Sequence, residues 1–282
     1  MTTVTAEGSS RYVTTKLHRM HYQEAGTGHP VVMLHGSGPG ATGWSNFNPN
    51  IGPMSERFRV LAFDMPGWGG TEDLDPAQPR DHVEALILAL DELGIERATL
   101  VGNSMGGMTS IRCAIEHPDR VSHLVPMGAP APGINIFTAG GGMSEGLKIL
   151  IEAYMDPSPA NFKRLVSVMA FDQKFATDEL AEQRSKNALA HPEHLESFGK
   201  MMQSGAGMAE FFGLANRLAE ISAPTLVIHG RDDRTVSFEN GLRLVSAIPN
   251  SRLMVFNQCG HWAQLEHADE FNRLLEQFIL NH

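Results

Sequence analysis

Ser104 follows an apolar run and is bracketed by glycines: the stretch ATLVGNSMGG ends at Gly107 and contains G-x-S-x-G. That spacing describes a nucleophile elbow, a sharp turn that holds a serine out at the top of a sheet. Such a turn strains its backbone and leaves no room for a Cβ two residues to either side, a demand that Gly102 and Gly106 meet. The pattern alone is short, and a plain Gly-rich strand-to-helix turn reads the same way. The context decides between them. Leu100 and Val101 end a buried parallel strand, and Met105, Met108, Ile111 and Ile115 recur at helical spacing until His117 and Pro118 stop the helix.

A serine hydroxyl is a poor nucleophile near neutral pH, so it needs a base to take its proton and a carboxylate to orient that base. His261 is the candidate base, because it sits in a glycine-preceded loop after a strand, where a side chain reaches the carboxyl edge of a sheet. His267 begins a helix and reads as a surface residue. Asp232 and Asp233 compete for the orienting role. Asp233 is favoured, since the G-x-x-D-x-x-V spacing from Gly230 to Val236 carries it one step further round the turn; Asp232 then reads as a turn residue or a partner of Arg231 or Arg234. The order serine, acid, histidine along the chain is one of those in which this triad occurs.

A second glycine-rich loop, HGSGPG from His35 to Gly40, empties from the apolar run VVML. Its glycines let backbone N–H groups approach a ligand, so one oxyanion donor is expected there and the other at the residue after the nucleophile. No metal or cofactor is expected. H-E-x-x-H is absent, and Cys113 and Cys259 form no C-x-x-C and read as buried small hydrophobes.

These loops need a scaffold of alternating strands and helices. Strands are predicted over residues 12–24 as a pair, then 31–34, 59–64, the elbow strand, 121–127, 225–228 and 252–256. Helices are predicted at 81–93, after the elbow, at 239–247 and at the end, where Phe271, Leu274, Leu275 and Phe278 are spaced helically. Trp44, Phe47 and Ile51 read as packing, with Asn46 the polar exception. Alternation of this kind implies a parallel sheet with right-handed crossovers. From Pro130 the texture changes to helical patterns, a glycine cluster at Gly140 to Gly142 and many methionines without a clear strand. Residues 131–216 therefore read as a helical lid inserted between a first core segment, 1–130, and a second, 217–282, the Pro/Gly-rich stretch at 130–133 marking the join.

With 282 residues, 42% of them hydrophobic, the chain is an ordinary globular one, and disordered and fibrous classes are excluded. A formal charge of -10 without a basic stripe argues against nucleic acid and anionic membranes as partners. No stretch matches the roughly 18 apolar residues of a membrane span, and the start MTTVTAEGSSRYVTT lacks a secretory apolar core, so it reads as the loose arm of a cytoplasmic protein. An anionic substrate would need a local cation.

The segments HGSGPGATGWSNF (35–47), GNSMGG (102–107), GRDDR (230–234) and CGHWAQ (259–264) together resemble the meta-cleavage product hydrolases, α/β-hydrolase-fold enzymes that cleave C–C bonds in 2-hydroxy-6-oxo-hexa-2,4-dienoates. The similarity runs along nearly the whole chain. It implies a mostly parallel, twisted sheet flanked by helices with a helical lid, and a dimer or larger homo-oligomer. It makes Ser104 the nucleophile, His261 the base, Asp233 its partner, and the N–H groups of Ser37 and Met105 the oxyanion hole. Asn46, Asn103, Arg184 and Trp262 match positions that hold the dienoate's carboxylate and 2-oxygen, and Arg184 is the cation that the charge argument requires. The implied reaction is ketonisation, then hydrolysis through an acyl-enzyme or a gem-diol, giving 2-hydroxypenta-2,4-dienoate and a carboxylic acid.

Two stretches depart from the pattern: GAPAPG (128–133), where relatives are glycine-rich, and Ser185, where a bulkier residue is common. Both are candidates to border the pocket for the C6 group, leaving phenyl, alkyl and carboxyalkyl groups open. The other readings are a carboxylesterase-type serine hydrolase with the same triad and a non-catalytic small-molecule receptor. Dehalogenases and epoxide hydrolases are disfavoured because they carry Asp at the position of Ser104.

Overall fold

The computed structural model describes residues 3–74, 80–133, 143–204 and 211–282; the glycine cluster at 140–142 lies outside them. Nine strands among the described residues form one sheet: β1 (Ser10–Thr14), β2 (His18–Ala25), β3 (Pro30–Leu34), β4 (Arg59–Phe63), β5 (Glu72–Asp73), β6 (Ala98–Asn103), β7 (Val121–Met127), β8 (Thr225–Gly230) and β9 (Ser251–Phe256). Their order is β1-β2-β4-β3-β6-β7-β8-β9, with β5 added to β2. From β4 to β9 all neighbours are parallel, while β1, β2 and β5 pair antiparallel at one end.

Along β3 and β4 alternate side chains enter opposite layers, as the pleat requires. Val32, Leu34, Leu61 and Phe63 face the layer of α3 (His82–Glu92) and α4 (Met105–Glu116). Val31, Met33, Val60 and Ala62 face Phe47 and Ile51 of α2 (Gly43–Ser55) and Phe271, Leu275 and Phe278 of α11 (Ala268–Asn281). Both faces of the central strands are thereby buried, which accounts for their unbroken apolar runs. Local caps fix the helix starts. Asp81 accepts the N–H groups of Val83 and Glu84 at 2.9 and 3.2 Å, and Thr42 and Ser45 form a reciprocal capping box.

Between β7 and β8 the described elements are helical: α5 (Glu145–Met155), α6 (Pro159–Met169), α7 (Asp178–Leu189) and α8 (Pro192–Ser204). Helix α9 (Glu239–Ala247) then follows β8, and the short α10 (Ala263–Glu266) precedes α11. One expectation is corrected. The N-terminal arm is not loose: α1 (Ala6–Ser9) is a helical turn capped by Thr5, and the buried Ser9 hydroxyl bonds Gln23 Oε1 at 2.5 Å. The short strand β5 was not foreseen, because a two-residue pairing leaves no periodicity to read. Among the described residues no helix is long and apolar enough to cross a membrane.

Candidate active site

At the carboxyl end of β6 the chain turns through Ser104 with φ +52° and ψ −113°, a backbone region disfavoured for residues with a side chain. The Ser104 N–H is fixed on the Met127 carbonyl at 2.9 Å. A Cβ on Gly102 would strike the backbone of Gly106, and one on Gly106 would strike the Leu34 carbonyl. The turn therefore admits only glycine at both positions, and α4 starts immediately after it, at Met105.

The loop after β3 is held through its carbonyls. The buried His35 ring accepts the Met65 N–H at Nε2 (3.0 Å), so its proton lies on Nδ1 and is donated to the Gly36 carbonyl at 2.8 Å. Burial lowers its pKa and keeps it neutral. Tyr154 of α5 donates to the Ser37 carbonyl at 2.5 Å, and the Trp68 indole N–H to the Gly38 carbonyl at 3.0 Å. Three consecutive carbonyls are thereby occupied, and Gly36, Ser37 and Gly38 line the cavity together with Ser104.

The candidate acid and base come from the loops after β8 and β9. Asp233 Oδ1 accepts the N–H groups of Thr235 and Val236 at 2.7 and 2.9 Å, and Oδ2 accepts His261 Nδ1–H at 2.7 Å. His229 Nε2 stands 3.5 Å from the same Oδ2. Burial works to raise the Asp233 pKa, but the His261 charge and the hydrogen bonds from His229 and His261 prevail and hold it well below the usual carboxylate range. Asp232 lies 3.4 Å from Arg231 and takes no part in this contact. Gly128, at φ +51°, leaves space for the imidazole: a Cβ there would lie 3.0 Å from His261 Nδ1.

One cavity collects the rest. Ser37, Asn46, Asn103, Ser104, Arg184, His261 and Trp262 all line it. Arg184, on α7, is 4% exposed, its guanidinium carbon lies 4.9 Å from the centre of the Trp262 ring, and it forms no ion pair among the described residues. Burial lowers its pKa to about 10. Asn46 Oδ1 is buried without a partner. Asn103 also lines the cavity, and its Oδ1 is likewise buried without a partner among the described residues. Its Nδ2 donates to the carbonyls of His261 and Met127 at 3.1 and 3.3 Å, tying the loop of His261 to the end of β7 beside Ser104.

The opposite wall is Leu147, Leu150, Leu165 and Met169 from α5 and α6, none of them singled out from sequence. Of the methionines in this region, Met169 lines the cavity, while Met143, Met155 and Met201 are exposed. Ser185 does not border the cavity: its hydroxyl bonds the Pro157 carbonyl at 2.6 Å, and residues 128–133 are also absent from the lining.

A parallel sheet with a strained serine after its central strand, an acid and a histidine on later loops and helices above them defines an α/β-hydrolase. The family model described as alpha/beta hydrolase fold matches residues 29–268, and the chain belongs to that family. Within it the chain falls among the meta-cleavage product hydrolases. It is 45% identical to the 2-hydroxy-6-oxononadienedioate/2-hydroxy-6-oxononatrienedioate hydrolase of Cupriavidus pinatubonensis, with 99% of this chain and 98% of the relative covered. A mutant of the meta-cleavage product hydrolase CumD, from Pseudomonas fluorescens IP01, superposes with a TM-score of 0.86 at 32% identity, over 96% and 98% of the two chains. The 2-hydroxy-6-oxo-6-phenylhexa-2,4-dienoate hydrolase of Rhodococcus sp. strain RHA1 superposes with a TM-score of 0.84 at 29% identity, over 95% and 99%.

Proposed function

We propose that the protein hydrolyses the C5–C6 bond of a 2-hydroxy-6-oxo-hexa-2,4-dienoate through Ser104, His261 and Asp233. The observation that carries this reading is Arg184: a buried guanidinium without a carboxylate partner among the described residues, in the cavity that holds Ser104 and His261. A lone buried cation is costly unless an anion meets it. A neutral ester gives it nothing to bind, and the dienoate's carboxylate does.

With that carboxylate at Arg184 and the 2-oxygen beside Asn46, His261 moves the dienol proton from the 2-hydroxyl to C5. The resulting ketone at C2, conjugated through C3 and C4, becomes the electron sink. His261 then takes the Ser104 proton as Oγ attacks C6, and the N–H groups of Ser37 and Met105 receive the oxyanion. When the C5–C6 bond breaks, its electron pair runs through C4 and C3 to the C2 oxygen. This releases 2-hydroxypenta-2,4-dienoate and leaves the acyl group on Ser104, and water activated by His261 frees the acid. A gem-diol route uses the same residues with water as the nucleophile.

The group on C6 must occupy what remains of the cavity, the wall of Leu147, Leu150, Leu165 and Met169. The relative from C. pinatubonensis is named for a dioate, which carries a second carboxylate. None of this chain's 22 Lys and Arg residues falls outside the described segments, and Arg184 alone among them lines the cavity. The preferred C6 group is therefore alkyl or aryl. Residues 131–216 act as the lid that carries both Arg184 and this wall, and assembly into a dimer or larger oligomer follows the family.

The test is a panel of yellow ring-cleavage dienoates mixed with the protein while bleaching is followed. Rapid bleaching with release of the pentadienoate is expected. Faster turnover of a neutral nitrophenyl ester than of every dienoate would replace this reading with the carboxylesterase one.

A further inference from the structure

We infer that Glu266, at the end of α10, is a positioning residue for the reaction, holding the loop of His261 against the end of α6 through three backbone N–H groups. Glu266 Oε1 accepts the Gly260 N–H at 2.8 Å; Oε2 accepts those of Phe171 and Asp172 at 2.7 and 3.0 Å. One carboxylate thus joins the residue before the base to the two residues that follow Ala170, almost a hundred positions earlier in the chain. Between these contacts the His261 N–H bonds the Met169 carbonyl at 2.6 Å, and Met169 Sδ accepts the Thr235 hydroxyl at 3.3 Å. Gly260 itself is pressed against this segment, since a Cβ there would collide with the Met169 carbonyl.

The chemistry of the clamp follows from what is paired. Backbone donors of two irregular segments would otherwise be left over, and a carboxylate supplies lone pairs for all three in charge-assisted bonds. Burial works to raise the pKa of Glu266, and the N–H groups of Asp172, Gly260 and Phe171 work to lower it. The geometry that the clamp holds is the height of His261 over Ser104 and of Met169 in the cavity wall. Glu266 does not line the cavity and touches no substrate, so it acts through His261.

The inference rests on His261 being the base. Glu266→Gln keeps the side-chain length but turns one acceptor into a donor facing N–H groups. Turnover of a bleached dienoate is expected to fall between tenfold and a hundredfold, with KM changed less than threefold. The Gly260, Phe171 and Asp172 amides should lose hydrogen-exchange protection, and the downfield Nδ1 proton of His261 should shift. Glu266→Asp, which retains the charge but is too short to bridge both segments, should recover part of the turnover. Unchanged kcat with those amides freed would overturn the inference. So would unprotected Gly260, Phe171 and Asp172 amides in the unaltered protein, a measurement that requires no variant to fold. Failure of the unaltered protein to bleach any dienoate would instead remove the proposed function.

Discussion

The Arg184 guanidinium carbon sits 4.9 Å from the centre of the Trp262 ring, and that indole face is what the structure offers the cation in place of a carboxylate. A cation–π contact recovers only part of what burial costs a guanidinium, so the site is left short of one negative charge. Arg184→Gln should raise KM for a dienoate by about tenfold to a hundredfold, the worth of a charge-assisted hydrogen bond. Arg184→Met, of similar reach but apolar, should lose binding while gaining about 1–3 kcal/mol of stability in the ligand-free protein. Urea unfolding beside steady-state kinetics measures both, and equal affinity in all three proteins would take Arg184 out of the site.

Ser104→Ala removes the proposed nucleophile and leaves the cavity, Arg184 and the proposed oxyanion donors intact. Turnover should drop by about four orders of magnitude or more while a dienoate still binds, visible as a persistent shift in its absorption. Turnover close to that of the unaltered protein would show that the serine oxygen is not attacking carbon.

The elbow at Ser104 and the Asp233–His261 pair were legible because each carries a local signature. Gly102 and Gly106 announce the turn at Ser104, and Asp233 and His261 each follow a strand by a fixed number of residues, in loops that open on the same sheet edge. The loop supports were not legible. Tyr154 reaches the Ser37 carbonyl across 117 positions, and nothing near either residue encodes the meeting. The apolar wall escaped for the same reason: Leu147, Leu150 and Leu165 look like any helical core until the fold turns α5 and α6 towards Ser104. The bond from Asn103 Nδ2 to the His261 carbonyl was equally illegible, since that partner lies 158 positions away.

Asp73 supplies a pH dependence. It pairs with His18 at 3.0 Å and with Arg80 at 2.7 Å, and Arg80 in turn contacts His194 of α8 at 3.1 Å. Burial opposes ionisation, but the hydrogen bonds from His18 and Arg80 prevail and lower its pKa from 3.8 to about 2. A depressed carboxylate stabilises the fold above its unfolded pKa and loses that contribution as pH falls through the folded one. Asp73→Asn should therefore cost about 2 kcal/mol at pH 7. The gap between the two proteins should close as pH drops from 3.8 towards about 2. Urea midpoints across that range test it, and a gap that stays constant would place the effect in packing rather than charge.

Substrates that differ only at C6 test the cavity wall. A carboxyethyl group brought against Leu147, Leu150, Leu165 and Met169 must shed its water with no cation to receive it, whereas methyl, isopropyl or phenyl groups gain from leaving water there. The kcat/KM for the apolar series should exceed that for the dioate by about a hundredfold or more, since desolvating an unpaired charge outweighs several methylenes. Leu165→Arg, which places a guanidinium in that wall, should narrow or reverse the ratio while Ser104 still cleaves both. If the unaltered protein turns over the dioate as fast as the phenyl compound, the second carboxylate is reaching solvent through the mouth of the cavity, and the wall does not select the substrate.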